Sequence, residues 1–399
     1  MDIFGIRHHS SSTTARLELV NIFGSFAKYK MFIVGDHEEE KIPGLELNFY
    51  RNSCPNAEQF VKDEVSRSTL IDPTTAAALL RLAFHDCQVD GCDASVLLSF
   101  SNGLMTETES EMNFGLRKLH IINGIKSSLE RICPQTVSCS DIIQLAARDA
   151  VHLSGGPFID VFTGRKDGTL ASKERADKEL PPADISVDKF IEIFQEKNIT
   201  LQEGVALIGK QSAFSASFYT TLLSFYPVSE KFTHFYIGHK NVTTEILVIW
   251  SNSDAGAHTL GIGHCRNFER RLQPPGDPTL SAGFKLTLLM ICSNPFLSNI
   301  TFETNDLTTF AFDNRYFTDI LNGRGLLKID SDISRDQRTK PHVLRFASDQ
   351  KQFFRSFTSG FLKLSNHKVL LGKQGEIRKD CRVWSTELLV DASPMTEPP

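Results

Sequence analysis

Arg81 and His85 stand four residues apart in the apolar run Ala78-Leu79-Leu80-Arg81-Leu82-Ala83-Phe84-His85. On a helix that spacing sends both side chains out from one face, a turn apart. A fixed cation beside an imidazole is equipped for acid–base chemistry on a bond such as the O–O bond of a peroxide. The imidazole takes a proton from one atom and returns it to the next, while the guanidinium stabilises the negative charge that develops as the bond breaks. Taken alone, such a pair is more often a surface couple or a satisfied buried one.

The segment Asp86-Cys87-Gln88-Val89-Asp90-Gly91-Cys92-Asp93-Ala94-Ser95 follows directly. Cysteines at this spacing can close a small loop. The loop gathers the carboxylates of Asp86 and Asp93, the Ser95 hydroxyl and the carbonyls of Val89 and Gly91, which are the hard oxygens that Ca²⁺ prefers. The plainer alternative is a polar turn pinned by a disulfide. A second imidazole, His258 in Gly256-Ala257-His258-Thr259-Leu260-Gly261, lies among small residues that would let a flat cofactor approach the backbone. That makes it a candidate axial ligand, although a His beside Gly and Ala is more commonly structural. A ligating imidazole usually gives its other N–H to a carboxylate, and Asp330 is the candidate. The stretch from Asp306 through Thr309 to Asp313 is also rich in oxygens. With Thr259 it could hold a second calcium on the ligand side.

Helices must carry most of these groups. Helical patterns run from Ala57 to Thr69, Pro73 to His85, Lys118 to Ile132, Cys139 to Leu153, Val187 to Lys197, Asn314 to Asn322, Arg338 to Ser348 and Gln350 to Leu364. Few alternating patterns compete, so the expected fold is mainly α. The chain has 399 residues, 41% hydrophobic and 23% charged, enough to bury a full core. Its net charge of −5 and the lack of a basic stripe argue against a nucleic-acid partner. No run of about 18 apolar residues suggests a membrane span.

Eight dispersed cysteines read as four disulfides made in an oxidising compartment. Asn198-Ile199-Thr200 and Asn299-Ile300-Thr301 are glycan acceptor triplets that agree with this weakly. A secretory leader is not evident in the first forty residues, whose apolar runs are broken by Glu18, Lys28 and Lys30. Residues 1–43 are expected to be a poorly patterned extension, 44–384 the folded domain and 385–399 a tail.

At this point a family comes into view. The segments 49–55 (Phe-Tyr-Arg-Asn-Ser-Cys-Pro), 81–87 (Arg-Leu-Ala-Phe-His-Asp-Cys), 91–95 (Gly-Cys-Asp-Ala-Ser), 136–142 (Thr-Val-Ser-Cys-Ser-Asp-Ile), 164–168 (Gly-Arg-Lys-Asp-Gly), 257–261 (Ala-His-Thr-Leu-Gly) and 312–314 (Phe-Asp-Asn) occur in order. In these the chain resembles the secreted class III plant peroxidases, over roughly Leu47 to Arg382.

The resemblance implies a two-lobed, mainly helical fold with one haem b between the lobes and one Ca²⁺ on each side. It implies His85 as distal acid/base, Arg81 as the group that stabilises the transition state and Asn113 as the partner that orients His85. His258 would be the iron ligand, supported by Asp330, and Pro181 would lie at the edge where reducing substrates bind. The implied disulfides are Cys54–Cys133, Cys87–Cys92, Cys139–Cys381 and Cys265–Cys292. The reaction implied is reduction of hydrogen peroxide with one-electron oxidation of small phenolic donors by a secreted monomer, extracellular, in the cell wall or in the vacuole. Cell-wall, lignin or oxidative-stress roles follow from the same likeness.

The chain departs from the family pattern in three places. Residues 210–256 interrupt Val205-Ala206-Leu207-Ile208-Gly209 and Ala257-His258, and deleting them restores the pattern. That span has no amphipathic period and reads as an unspliced intron or other non-native insertion. The leader is missing from the start. The second calcium loop is one residue short, which leaves Thr308 and Thr309 both open as the ligand. If the insertion is part of the protein, the alternative is a catalytically impaired, calcium-binding, disulfide-linked extracellular protein.

Overall fold

The computed structural model describes residues 42–99, 105–182, 184–208 and 260–385. His258, Thr259, the span 210–256 and the two terminal segments therefore lie outside the described residues, apart from 42–43 and 385. Twelve α-helices run through the described part. They are α1 (Ala57–Ile71), α2 (Thr75–Gln88), α3 (Leu119–Ile132), α4 (Cys139–Leu153), α5 (Lys173–Glu179), α6 (Val187–Gln195) and α7 (Leu201–Leu207), followed by α8 (Ala282–Ile291), α9 (Arg315–Leu321), α10 (Lys328–Ile333), α11 (Lys340–Ser348) and α12 (Gln350–Ser365). The fold is mainly α, as expected.

Side-chain caps set several helix starts. Ser138 accepts a hydrogen bond from the Asp141 amide at the head of α4, and Asp349 accepts from the Lys351 and Gln352 amides at the head of α12. Thr200 and Glu203 form a capping box on α7. Of the expected helices, α4 runs over the expected residues. Helix α2 extends three residues past His85, and α6 stops two residues short of Lys197. Helices α5, α7, α8 and α10 were not expected. Helix α5 is almost wholly polar and α8 almost wholly apolar, so neither shows a two-faced period.

Helix α2 is the centre of the molecule, with every one of its residues buried. It packs along α4, α4 packs on α1 and α3, and α12 packs on α7. Around α9, α11 and α12 the rings of Phe312, Phe317, Phe346, Phe353 and Phe357 interlock with centroids 4.7 to 6.1 Å apart. Removing a buried ring of this kind costs about 3–5 kcal/mol. A second, smaller core lies under α8 and joins Phe268, Leu280, Phe284, Leu288 and Leu326.

Among the described residues the sheet is a single antiparallel pair, β1 (Ile262–His264) with β2 (Phe302–Thr304), in the register Ile262 opposite Thr304 and His264 opposite Phe302. It fixes the chain just after the His258 segment. Gly263 packs closely there, and a Cβ would come 2.6 Å from the end of the Leu326 side chain. Four disulfides tie the elements: Cys54–Cys133, Cys87–Cys92, Cys139–Cys381 and Cys265–Cys292. The bond from Cys139 to Cys381 closes a span of 242 residues, the kind of closure that most restricts an unfolded chain.

Candidate active site

Arg81 and His85 sit on α2 with 1% and 2% exposure, so their polar atoms depend on protein partners. The Arg81 Nε–H donates to His85 Nε2 at 3.2 Å, and another Arg81 nitrogen donates to the Phe114 carbonyl at 2.7 Å. His85 Nδ1 lies 2.7 Å from Asn113 Oδ1. The Asn113 amide nitrogen donates to the Glu107 carbonyl at 2.7 Å, which leaves its oxygen turned toward the ring. One tautomer satisfies the chain of bonds: Nδ1 carries the proton and donates to Asn113, and Nε2 holds the lone pair.

Asn113 is placed by its turn. The Ser110 hydroxyl oxygen accepts from the Met112 amide, and the hydroxyl itself donates to Asp177 in α5 at 2.6 Å. An unexpected helix thus positions the group that holds the catalytic-type imidazole.

The loop after α2 is crowded with oxygens. Asp86 is fully buried and neither of its oxygens makes a well-formed hydrogen bond. Burial pushes its carboxyl well above the usual range, and the charges of Asp93 and Glu107 push it further. Asp93 is also raised by burial, and it accepts from the Ser95 amide at 2.9 Å. The carboxylate of Asp93 lies so close to Gly168 that a Cβ there would meet it. Val89 and Ser95 are buried beside these groups, and Gly91 holds φ +112° against the backbone of His367 and Lys368. Glu107 has one orphaned oxygen and is pushed up to about 8 by burial and by the charges of Asp93 and Glu179.

Sequence reasoning missed Glu107, because an acid in Thr106-Glu107-Thr108-Glu109 looks like any exposed turn until it is seen at 2% exposure. Among the described residues, no three His, Cys, Asp or Glu side chains form a metal cluster by themselves. An ion in this loop would therefore rely on the backbone carbonyls and the Ser95 hydroxyl as well.

On the other side, Asp330 accepts from the Tyr316 hydroxyl at 2.8 Å and from the Leu327 amide at 2.7 Å, which fixes its carboxylate at the head of α10. Asp306 is buried, with one oxygen unpartnered, and burial raises it to about 7 against the amide of Thr308. The hydroxyl of Thr308 lies 3.3 Å from Asp306 and 3.1 Å from Asp313, whereas that of Thr309 turns to the Asp306 carbonyl at 3.4 Å. The Thr309 carbonyl accepts from the Gly261 amide at 3.0 Å, so this loop is tied to the chain three residues past His258.

A cavity of about 870 Å³ lies nearby, and Arg81, His85, Asn113 and Asp330 are not among its lining residues. Met112, next to Asn113, lines one wall and Lys328, two residues from Asp330, lines another. Pro181 is buried, and its neighbours Pro182 and Asp184 are the residues that face the cavity.

Residues 57–349 match the family described as peroxidase. The chain is similar to Peroxidase 29 of Arabidopsis thaliana, 40% identical over 357 residues that cover 88% of this chain and 91% of that protein. It is similar also to Peroxidase 12, 35% identical with 87% and 84% covered, and to Peroxidase 18, 36% identical with 84% and 90% covered, both from the same plant.

The hydrogen-bond chain makes a direct prediction. Nitrogen-15 NMR of the imidazole should show His85 in the Nδ1-protonated form, and Asn113→Val should abolish that preference. A ring that keeps the same tautomer in the variant would show that Asn113 does not set it.

Proposed function

The chain belongs to the class III plant peroxidase family, and from that premise we propose that Arg81, His85 and Asn113 are its peroxide-handling site. It is a haem peroxidase, an oxidoreductase. Haem, when bound, supplies the redox chemistry, exchanging two electrons with peroxide and then one at a time with reducing donors. Arg81 and His85 on α2 and Asp330 at the head of α10 are the groups proposed to flank it. His258, proposed as the axial ligand from its motif, and Asp330, proposed as its carboxylate partner, complete the assignment.

The observation that carries the reading is the chain from Arg81 through His85 and Asn113 to the Glu107 carbonyl. A peroxide entering between Arg81 and His85 takes over the bond they now share. The Nε2 lone pair accepts the proton of one peroxide oxygen, and the same N–H then protonates the other, which leaves as water. The Arg81 guanidinium stabilises the charge on the departing oxygen. Asn113 keeps Nδ1–H engaged, so the transferred proton stays on the nitrogen that faces the substrate. Two phenols each give up one electron and one proton, so that one peroxide yields two waters and two phenoxyl radicals.

Two calcium ions belong to the same proposal. The first would use Asp86, Val89, Gly91, Asp93 and Ser95, with Glu107 as a nearby acid. The second would use Thr259, Asp306 and Asp313, and the hydroxyl facing both carboxylates favours Thr308 over Thr309. Orphaned buried carboxylates at both places fit a cation. The proposed setting is extracellular, in the cell wall or vacuole, with small phenols as donors. Four disulfides support it, and no helix among the described residues is long and apolar enough to cross a membrane.

Two outcomes test these assignments. His85→Ala should still take up haem but react with peroxide at least about 100-fold more slowly in stopped flow. A rate within threefold or so of the parent would remove His85 from the mechanism. The calcium reading makes a pH prediction. Glu107 and Asp306 rise from ordinary values of 4.5 and 3.8 to about 8 and about 7 when no cation is near. The native state then holds protons that the unfolded chain releases, so stability without calcium falls as pH rises from about 4 to about 8. Bound Ca²⁺ removes that penalty. The gain in Tm from calcium over a chelator should therefore be larger at pH 8 than at pH 5, and an equal gain at both would contradict the assignment.

A further inference from the structure

The charged groups around the cavity differ in how far they are committed. Arg271 is saturated: it pairs with Asp277 at 2.8 Å and donates to the carbonyls of Gly325 and Leu326 and to Thr279 and Ser331. Lys328 is held by Asp332 one turn along α10, and Arg266 reaches the Asn299 side chain. Arg270 is different. Its side chain is 87% exposed, and its ion-pair partner, Asp184, lies 4.0 Å away and is itself 65% exposed. Both residues line the cavity. An exposed pair at that separation contributes little. An incoming carboxylate could take the guanidinium in a closer, two-pronged bond and displace Asp184 at small cost. The whole chain carries −5, so this cation runs against the average charge of the protein.

We propose that Arg270 is a specificity-determining residue at the mouth of the cavity, favouring phenolic donors that carry a carboxylate, with Asp184 as the internal competitor for the same guanidinium. The inference rests on the peroxidase reading and names the donor class for it. Oxidation itself is unchanged: the phenol gives up one electron and one proton, and the carboxylate only docks.

Three phenols with the same para-alkyl ring separate charge from chemistry: 3-(4-hydroxyphenyl)propionate as anion, 4-methylphenol as neutral donor and tyramine as cation. kcat/KM is measured for each with the haem-loaded full chain, for wild type, Arg270→Gln, Arg270→Lys and Asp184→Asn. Arg270→Gln should lower the anion's kcat/KM about threefold to tenfold relative to 4-methylphenol, and Arg270→Lys should restore most of it. Asp184→Asn should raise it. The contrast should shrink at about 0.5 M salt, where exposed charges are screened. The rate with peroxide alone should be the same in all four proteins. An anion-to-cation ratio that stays within about twofold in Arg270→Gln and Asp184→Asn overturns the proposal. A wild-type protein that turns over none of the three phenols sinks the peroxidase reading and this proposal with it.

Discussion

Helix α2 is buried on every side and yet carries Arg81, His85, Asp86 and Gln88. Burying such groups without partners costs several kcal/mol each. The rest of the structure answers that constraint for Arg81 and His85, whereas the side-chain atoms of Asp86 and Gln88 have no hydrogen-bond partner. The Glu107–Phe114 turns bring the Asn113 amide oxygen to His85 and the Phe114 carbonyl to Arg81. Helix α5 holds those turns through Asp177, and the loop closed by Cys87 and Cys92 surrounds Asp86 with further oxygens. Each of these partners is itself held by another, the support that a preorganised site needs.

The polar groups on α2 are resolved differently. Arg81 and His85 satisfy one another and the Asn113 turn, so they are stable as protein alone. Asp86 is left without a good donor and is forced toward its neutral form. That asymmetry supports the proposal of a substrate site at Arg81 and His85 and of a cation site at Asp86.

Much of this was legible in the residues. The run from Ala78 to Ser95 carries both the helix period and the chemistry, and helix α4 has Ser138 and Asp141 as its start signal. Other features were not legible, for physical reasons. Helix α8 leaves Leu286, Leu289 and Met290 exposed, so no apolar stripe marks it. Glu107 gains its character only from tertiary burial. The choice between Thr308 and Thr309 depends on which hydroxyl the turn aims at Asp306 and Asp313, and two adjacent threonines cannot be told apart by spacing.

The proposed function requires the chain to bind one haem and to use it to couple peroxide to phenol oxidation. The direct measurement is a haemin titration of the full-length protein with Ca²⁺, followed by addition of peroxide and a phenol in known amounts. The account predicts a Soret band that saturates near one haemin per chain, and roughly two phenols oxidised for each peroxide consumed. Failure to form a Soret band, or peroxide loss without phenol oxidation in that ratio, would contradict it.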